Sequence, residues 1–268
     1  MQRLGIINYL NAVTNFTGKT LTIAELEARK LHHDFTELLT RAVQPALWLL
    51  IFGGVMASVR AIPTGSLPYI DFMAPGILAQ SVLFIAIFYG IAIIWERDLG
   101  ILHKFLATPT PRAALVLGKA LSAGERGLAQ ATIVYALAFA LGVHLKWDVI
   151  SLLTVLVVVI LGSGIFSTFS LIIACLVKTR ERFMGIGQIL TMPLFFASNA
   201  IYPISIMPSW LQVISQINPL TYEVDALRTL MIINGPTVFS VPFDILFLLV
   251  AMTINVAIAA KLYPRVVI

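Results

Sequence analysis

Residues 96–119 read ERDLGILHKFLATPTPRAALVLGK. This charged stretch lies between two long apolar runs. It carries Arg97, Lys104, Arg112 and Lys119, and Pro109 and Pro111 break it in the middle. A link between two membrane spans needs only a few polar residues, and this one runs to about 24. Before the prolines, Leu99, Leu102, Phe105 and Leu106 recur at helical spacing. The pattern fits a short amphipathic helix at the membrane surface, presented to a partner. Periodicity alone leaves an ordinary loop open.

Composition sets the class. The 268 residues are 59% hydrophobic and 12% charged, with a mean hydropathy of +0.94. Soluble domains run at about 45–50% apolar and about 25% charged. The chain reads as an integral membrane protein, so its net charge of +5 is interpreted by location rather than as a nucleic-acid footprint. The single cysteine, Cys175, sits in an apolar run, with no CxxC and no disulfide framework. His32, His33, His103 and His144 form no HxxxH or HExxH pair, which argues against a metal site. No GxxxxGK[ST] and no GxSxG occurs.

Six spans are expected. They are Ala42–Val59 with Pro45 in its first turn, Phe72–Ile94, a third ending at Val143, Val149–Val177, Phe183–Ile201 and Val241–Leu262. Asp71 is placed to cap the second. Gly162, Ser163, Gly164, Ser167, Thr168 and Ser170 give the fourth a small-residue face suited to close packing. Residues 20–41 carry Leu21, Leu26, Leu31, Phe35 and Leu38 at helical steps. They read as an amphipathic helix on the cytoplasmic membrane face, with a soluble helix as the other reading. The first 40 residues lack an uninterrupted apolar core, so no signal peptide is expected. Between spans five and six, residues 202–236 are too polar for a span and too apolar for a solvated loop. Two short helices parted by Asn218-Pro219 and partly embedded in the outer leaflet fit best, with Asp225 and Arg228 three apart and able to pair.

Orientation follows from counting. With six spans and the N-terminus inside, of the 18 Lys and Arg only Arg60, Lys146 and Arg228 fall outside. The positive-inside rule then puts both termini in the cytoplasm. The intramembrane polar residues read as mild: Gln80, Ser81, Gln130, Thr132, Gln188, Thr191, Ser198, Asn199 and Asn255. An ion-coupled carrier, a channel or a lipid-modifying enzyme would need an intramembrane charge, a polar ring or clustered acid and base groups. None is visible, so the energy for any pumping would come from another chain.

Residues 96–119 resemble the second-to-third-span connector of permease subunits of type-2 ABC exporters. The daunorubicin-resistance and nodulation-factor branch has a pattern close to ER-x-x-GTLE-x-LLATP-x-x-R-x-x-x-x-x-GK. Glu96, Arg97, Gly100, Leu106, Ala107, Thr108, Pro109, Arg112, Gly118 and Lys119 match it. Ile101-Leu102 replace a Thr-Leu pair, and His103 and Lys104 depart from the acidic position. A second segment is similar to the family's P-x-x-x-x-P-x-W…NP-x-T-Y-x-x-x-A-x-R pattern, through Pro203, Pro208, Trp210, Asn218, Pro219, Leu220, Tyr222, Ala226 and Arg228.

The resemblance implies one all-α transmembrane domain over 1–268. Residues 1–41 would be a cytoplasmic N-terminus with a connecting helix, and 42–268 a six-span bundle. A coupling helix at about Leu99–Thr108 would dock on a cytoplasmic ATPase. Leu102, Phe105 and Leu106 would provide apolar grip, Arg97 and Arg112 charge contacts, and Glu96, Gly100, His103, Thr108 and Pro109 would complete the motif. The substrate path would follow the second and fifth spans, with Phe84, Phe88, Tyr89, Phe195, Phe196 and Asn199 as candidates. The outer re-entrant segment would use Pro203, Pro208, Trp210, Asn218, Pro219, Tyr222, Asp225 and Arg228. The expected partners are two ABC ATPase subunits, a second copy or close relative, and the lipid of the plasma membrane, with no nucleic acid. No cofactor is expected in this chain, since ATP and Mg would sit on the ATPase. The expected activity is ATP-driven export of a drug, lipid or lipid-linked glycan by alternating access.

Overall fold

A computed structural model describes residues 14, 16–26, 35–60, 62–102, 107, 110–177 and 179–266. Among them every regular element is helical, and the one β pairing is a single antiparallel bridge between Leu145 and Ile232. Helix α1 covers 16–26. Helix α2 (Phe35–Leu47) continues through a π-helical turn (Trp48–Gly53) into α3 (Gly54–Val59). Pro45 therefore lies inside a helix and not in its first turn, because the helix already begins at Phe35. Proline offers no N–H to the carbonyl four residues back, and the wide turn follows directly.

Four helical segments are long and apolar enough to cross a membrane: Ala42–Val59, Tyr69–Asp98, Val149–Leu176 and Val241–Leu262. The second is α4 (Tyr69–Tyr89) joined at Gly90 to α5 (Ile91–Asp98). The third and fourth are α7 and α11. The other two segments expected as spans are helices outside that measure. Helix α6 (Arg112–Ala140) has 29 residues but carries Lys119, Glu125 and Arg126 in its first half, and α8 (Arg180–Phe196) has only 17 residues.

Helices α4, α6, α7, α10 (Pro219–Met231) and α11 pack on one another and form the core. Residues 71–83 of α4 are all buried, so it is the central helix. Small residues set the crossings around α7. Ser170 Oγ donates to the Ile87 carbonyl beside Gly90, and Gly127 packs on Ser163. A Cβ at Gly162 would fall 2.3 Å from the Glu223 carboxyl, and one at Gly76 would fall 2.3 Å from the Ala200 carbonyl oxygen. Contacts this close leave no room for a side chain at these glycines.

Two expectations at the end of the bundle where α4 begins are corrected. Asp71 does not cap α4, because Pro68 holds the N-cap position. Asp71 sits in the first turn and takes a 2.8 Å contact from His144 Nδ1. Asp225 and Arg228 do not pair with each other, because the tertiary fold gives each a nearer partner. Asp225 accepts from the backbone N–H of Val238 and Phe239 and from the Thr237 hydroxyl. Arg228 donates to the carbonyls of Phe72 (3.2 Å) and Asn199 (2.7 Å), with its guanidinium 3.8 Å over the Phe72 ring.

Candidate functional site: the connector and its braces

Helix α5 ends at Asp98. Gly100 then takes φ +69, a left-handed turn that glycine adopts without steric cost. This turn divides the apolar stripe read from the sequence. Leu99 belongs to the end of α5 and is 68% exposed. Leu102, expected to grip a partner, is 0% exposed. It packs with Ile93, Leu115, Val116, Leu171, Cys175, Ala259 and Tyr263, with Ile23 of α1 at the edge. A helix running unbroken from Leu99 is therefore corrected by the geometry at Gly100. His103, Lys104, Phe105, Leu106, Thr108 and Pro109 lie outside the described residues. Ile101 and Leu102 are helical, and the next described helix, α6, begins at Arg112, which is exposed.

The two flanks of the connector are tied internally. Lys119 Nζ on α6 donates to Glu96 Oε2 on α5 at 2.7 Å, with both side chains no more than 7% exposed. Glu96 therefore faces inward and cannot itself contact a docked partner. Opposite charges this close in a dry setting restrain geometry strongly, because separating them leaves a bare buried charge. A second tie is at the surface. Asp98 accepts from Arg97 (3.1 Å) and from Arg180 of α8 (2.9 Å), and the Arg180 guanidinium lies 3.9 Å over Trp95. Arg97 also reaches the Val177 carbonyl at 3.4 Å. Helix α1 braces the far flank, with Ile23 and the Thr20 carbonyl against Gly118. The face of α1 that meets α6 thus carries Thr20, Ile23 and Ala24. Leu21 and Leu26, read as the apolar stripe, are exposed. Leu31 lies outside the described residues.

The path candidates fall in several places among the described residues. Phe84 and Phe88 line a space of about 310 Å³ with Gln44, Ser81, Ile85 and Gln130, between α2, α4 and α6. The Tyr89 ring lies under Arg126, 4.7 Å from its guanidinium carbon, and borders the same space as Lys119. Phe195 is buried against Trp48 and Phe196, and Phe196 is half-exposed. The Asn199 carbonyl is taken by Arg228, while neither atom of its side-chain amide finds a partner among the described residues.

In the segment before α11, Pro203 precedes a 3₁₀ turn (Ile204–Ile206) and Pro208 holds the N-cap position of α9 (Ser209–Ile217). Trp210 is exposed on α9. Asn218 joins α9 to α10. Its side-chain oxygen accepts from the Leu220 N–H at 3.1 Å, its amide donates to the Leu194 carbonyl at 2.7 Å, and Pro219 takes the first helical position. Tyr222 donates to the Gln216 carbonyl at 2.6 Å, and its ring lies 3.8 Å from that of Phe247. Sequence reasoning missed two buried acids, Glu223 on α10 and Asp244 on α11. Both are 0% exposed, and no carboxyl oxygen of either has a partner among the described residues. Glu223 left no mark in the residue pattern, because α10 is buried on nearly every side and offers no polar stripe to reveal a deviation, whereas Asp244 stands in plain view near the start of the sixth expected span and was passed over.

Four helices long and apolar enough to cross a membrane, with a braced charged connector and a capped helical hairpin, fit a polytopic membrane protein. Residues 19–232 match the family model described as ABC-2 type transporter, and the chain belongs to that family, the membrane subunits of ABC transporters. It is 30% identical to the putative transport permease ycf38 of Cyanophora paradoxa over 198 residues, which are 72% of this chain and 67% of that one. It is 24% identical to the daunorubicin resistance ABC transporter permease protein DrrB1 of Streptomyces coeruleorubidus, over 74% of this chain and 70% of the relative. Nodulation protein J of Rhizobium meliloti (strain 1021) is 25% identical, over 73% and 74%.

Proposed function

We propose that this chain is the permease subunit of an ATP-driven exporter, with six spans, both termini in the cytoplasm of a plasma membrane, and the connector 96–112 docked on a separate ATPase. Two such chains, or one with a close relative, would pair with two ATPase subunits that hold ATP and Mg. The observation that carries the reading is the Glu96–Lys119 brace. It makes the flanks of the connector a rigid lever and leaves Leu99, Ile101 and Arg112 outward as a contact face. A push delivered there is transmitted to α5 and α6 and so to the core. Work is done only if the ATPase holds this face differently in its two nucleotide states. The substrate class is hydrophobic or amphipathic: a drug, a lipid or a lipid-linked glycan. The cavity of Phe84, Phe88, Ser81, Gln44 and Gln130 supports this, because it sets two aromatic rings beside a few polar groups. Of the other path candidates, Phe196 has the exposure to line an opening formed with a second copy. Trp210 on α9 suits the outer membrane interface, where an indole has one wet and one apolar side.

The test is reconstitution with the cognate ATPase. Leu99→Asp and Phe105→Asp are expected to lower ATP-driven transport at least tenfold without changing the thermal midpoint of the purified chain. Full transport by both variants would remove the connector from the mechanism.

A further inference from the structure

Glu223 lies on α10 with no solvent exposure, against the backbone of α7 at Gly162. Neither carboxyl oxygen has a hydrogen-bond partner among the described residues. The ionisable groups on the helices packed around it are engaged elsewhere or are acids themselves. On α10, Asp225 takes the N–H groups of Val238 and Phe239, and Arg228 takes two carbonyls. On α4, Asp71 is paired with His144, and Tyr69 donates to the Ile201 carbonyl. On α11, Asp244 is a second buried acid and Lys261 lies in the last turn, at the other end of that helix. On α7 the one titratable side chain is Cys175, more than three turns beyond Gly162. Among the described residues, no cation on these helices is bonded to Glu223.

An ionised carboxylate left bare in such a place is far more costly than a neutral acid with one unmade hydrogen bond. A divalent ion would need several further oxygen ligands around the same carboxyl, and the α7 backbone closes one side of it. A proton requires no extra volume. We propose that Glu223 is a proton-binding site: it is a neutral carboxylic acid in this conformation, and it exchanges its proton with water only when α10 parts from α7. In that step the O–H bond breaks, the proton passes to an entering water, and the carboxylate is hydrated. Since α10 packs on α4, α7 and α11 together, its separation belongs to a rearrangement of the core and not to a loop motion.

The protonation itself is independent of the exporter reading, while its link to transport rests on it. The first measurement is infrared difference spectroscopy of the full chain in lipid nanodiscs, with glutamate labelled by ¹³C at its side-chain carboxyl. A glutamic-acid C=O band is expected at neutral pH, shifted by the label, slow to exchange in D₂O and absent in Glu223→Gln. The absence of any labelled acid band, or a band that survives in Glu223→Gln, overturns the proposal. If Glu223→Gln does not yield folded protein, the labelled native chain still decides: a slowly exchanging labelled band supports the site, and its absence overturns it. In the reconstituted transporter the wild-type rate is expected to vary with pH while Glu223→Gln gives a flat profile. A chain that shows the band but transports nothing with its ATPase fails the exporter reading and leaves the site standing.

Discussion

At Arg228 a buried guanidinium is held by the carbonyls of Phe72 and Asn199 and by the face of the Phe72 ring. It ties α10 to the start of α4 and to the end of the α8 segment, so it acts as a staple and not as an outward positive charge. This removes it from the orientation count, which still leaves Arg60 and Lys146 against all the remaining cations. Arg228→Ala leaves those carbonyls unsatisfied and opens a cavity; a loss of about 2–5 kcal/mol is expected from thermal unfolding in detergent. Asp148 offers a milder case outside the spans. The Ser151 backbone N–H, then its hydroxyl, hold the Asp148 carboxyl below its ordinary range. A group with a depressed native pKa stabilises above its unfolded pKa and loses that contribution as pH falls. Asp148→Ala is therefore expected to lower the unfolding midpoint at neutral pH. The gap to wild type should close as pH falls through and below about 4. A gap that stays constant with pH would show that the cap contributes no charge effect.

The elements that local chemistry fixes were the most legible in the sequence. Asn218-Pro219 reads as a helix start because capping needs only neighbouring residues, and the structure puts α10 there. The small-residue face of α7 was legible because close crossings permit little else, and its members are all buried. The fate of Glu96 and Leu102 was not legible. Both stand on a stretch with an amphipathic pattern, yet Glu96 meets Lys119 and Leu102 joins the buried cluster that holds Tyr263, through crossings that no local spacing encodes. Glu96→Met and Lys119→Met should each cost about 3–5 kcal/mol, while the double replacement should recover most of that, since a lone buried charge is worse than none. If the double variant is as unstable as the sum of the singles, the pair is not a direct brace. Gly76→Ala must push α4 off the Ala200 carbonyl, and overpacking of this kind costs about 1–3 kcal/mol. An unchanged unfolding midpoint would show that this crossing yields freely.

For the molecule as a whole, the outer surfaces of the π-helical turn after α2, of α8 and of α11 expose Leu50, Ile51, Ile189, Met192, Leu246 and Ile254. In water this would be a liability, but in hydrocarbon, or against a second copy, it is the expected surface. Composition made the membrane class plain, and the motif pair made the family plain. The count of spans depended on two helices, α6 and α8, whose charges or length keep them outside a simple apolar measure. The central claim is that the braced connector is where a separate ATPase docks. The most direct test is to solubilise the chain gently from its own membrane, capture it, and assay what accompanies it. The account predicts an ABC ATPase that co-purifies, hydrolyses ATP, and is released by Phe105→Asp with Leu99→Asp. Capture of the intact chain with no ATPase, across several mild detergents, would contradict it.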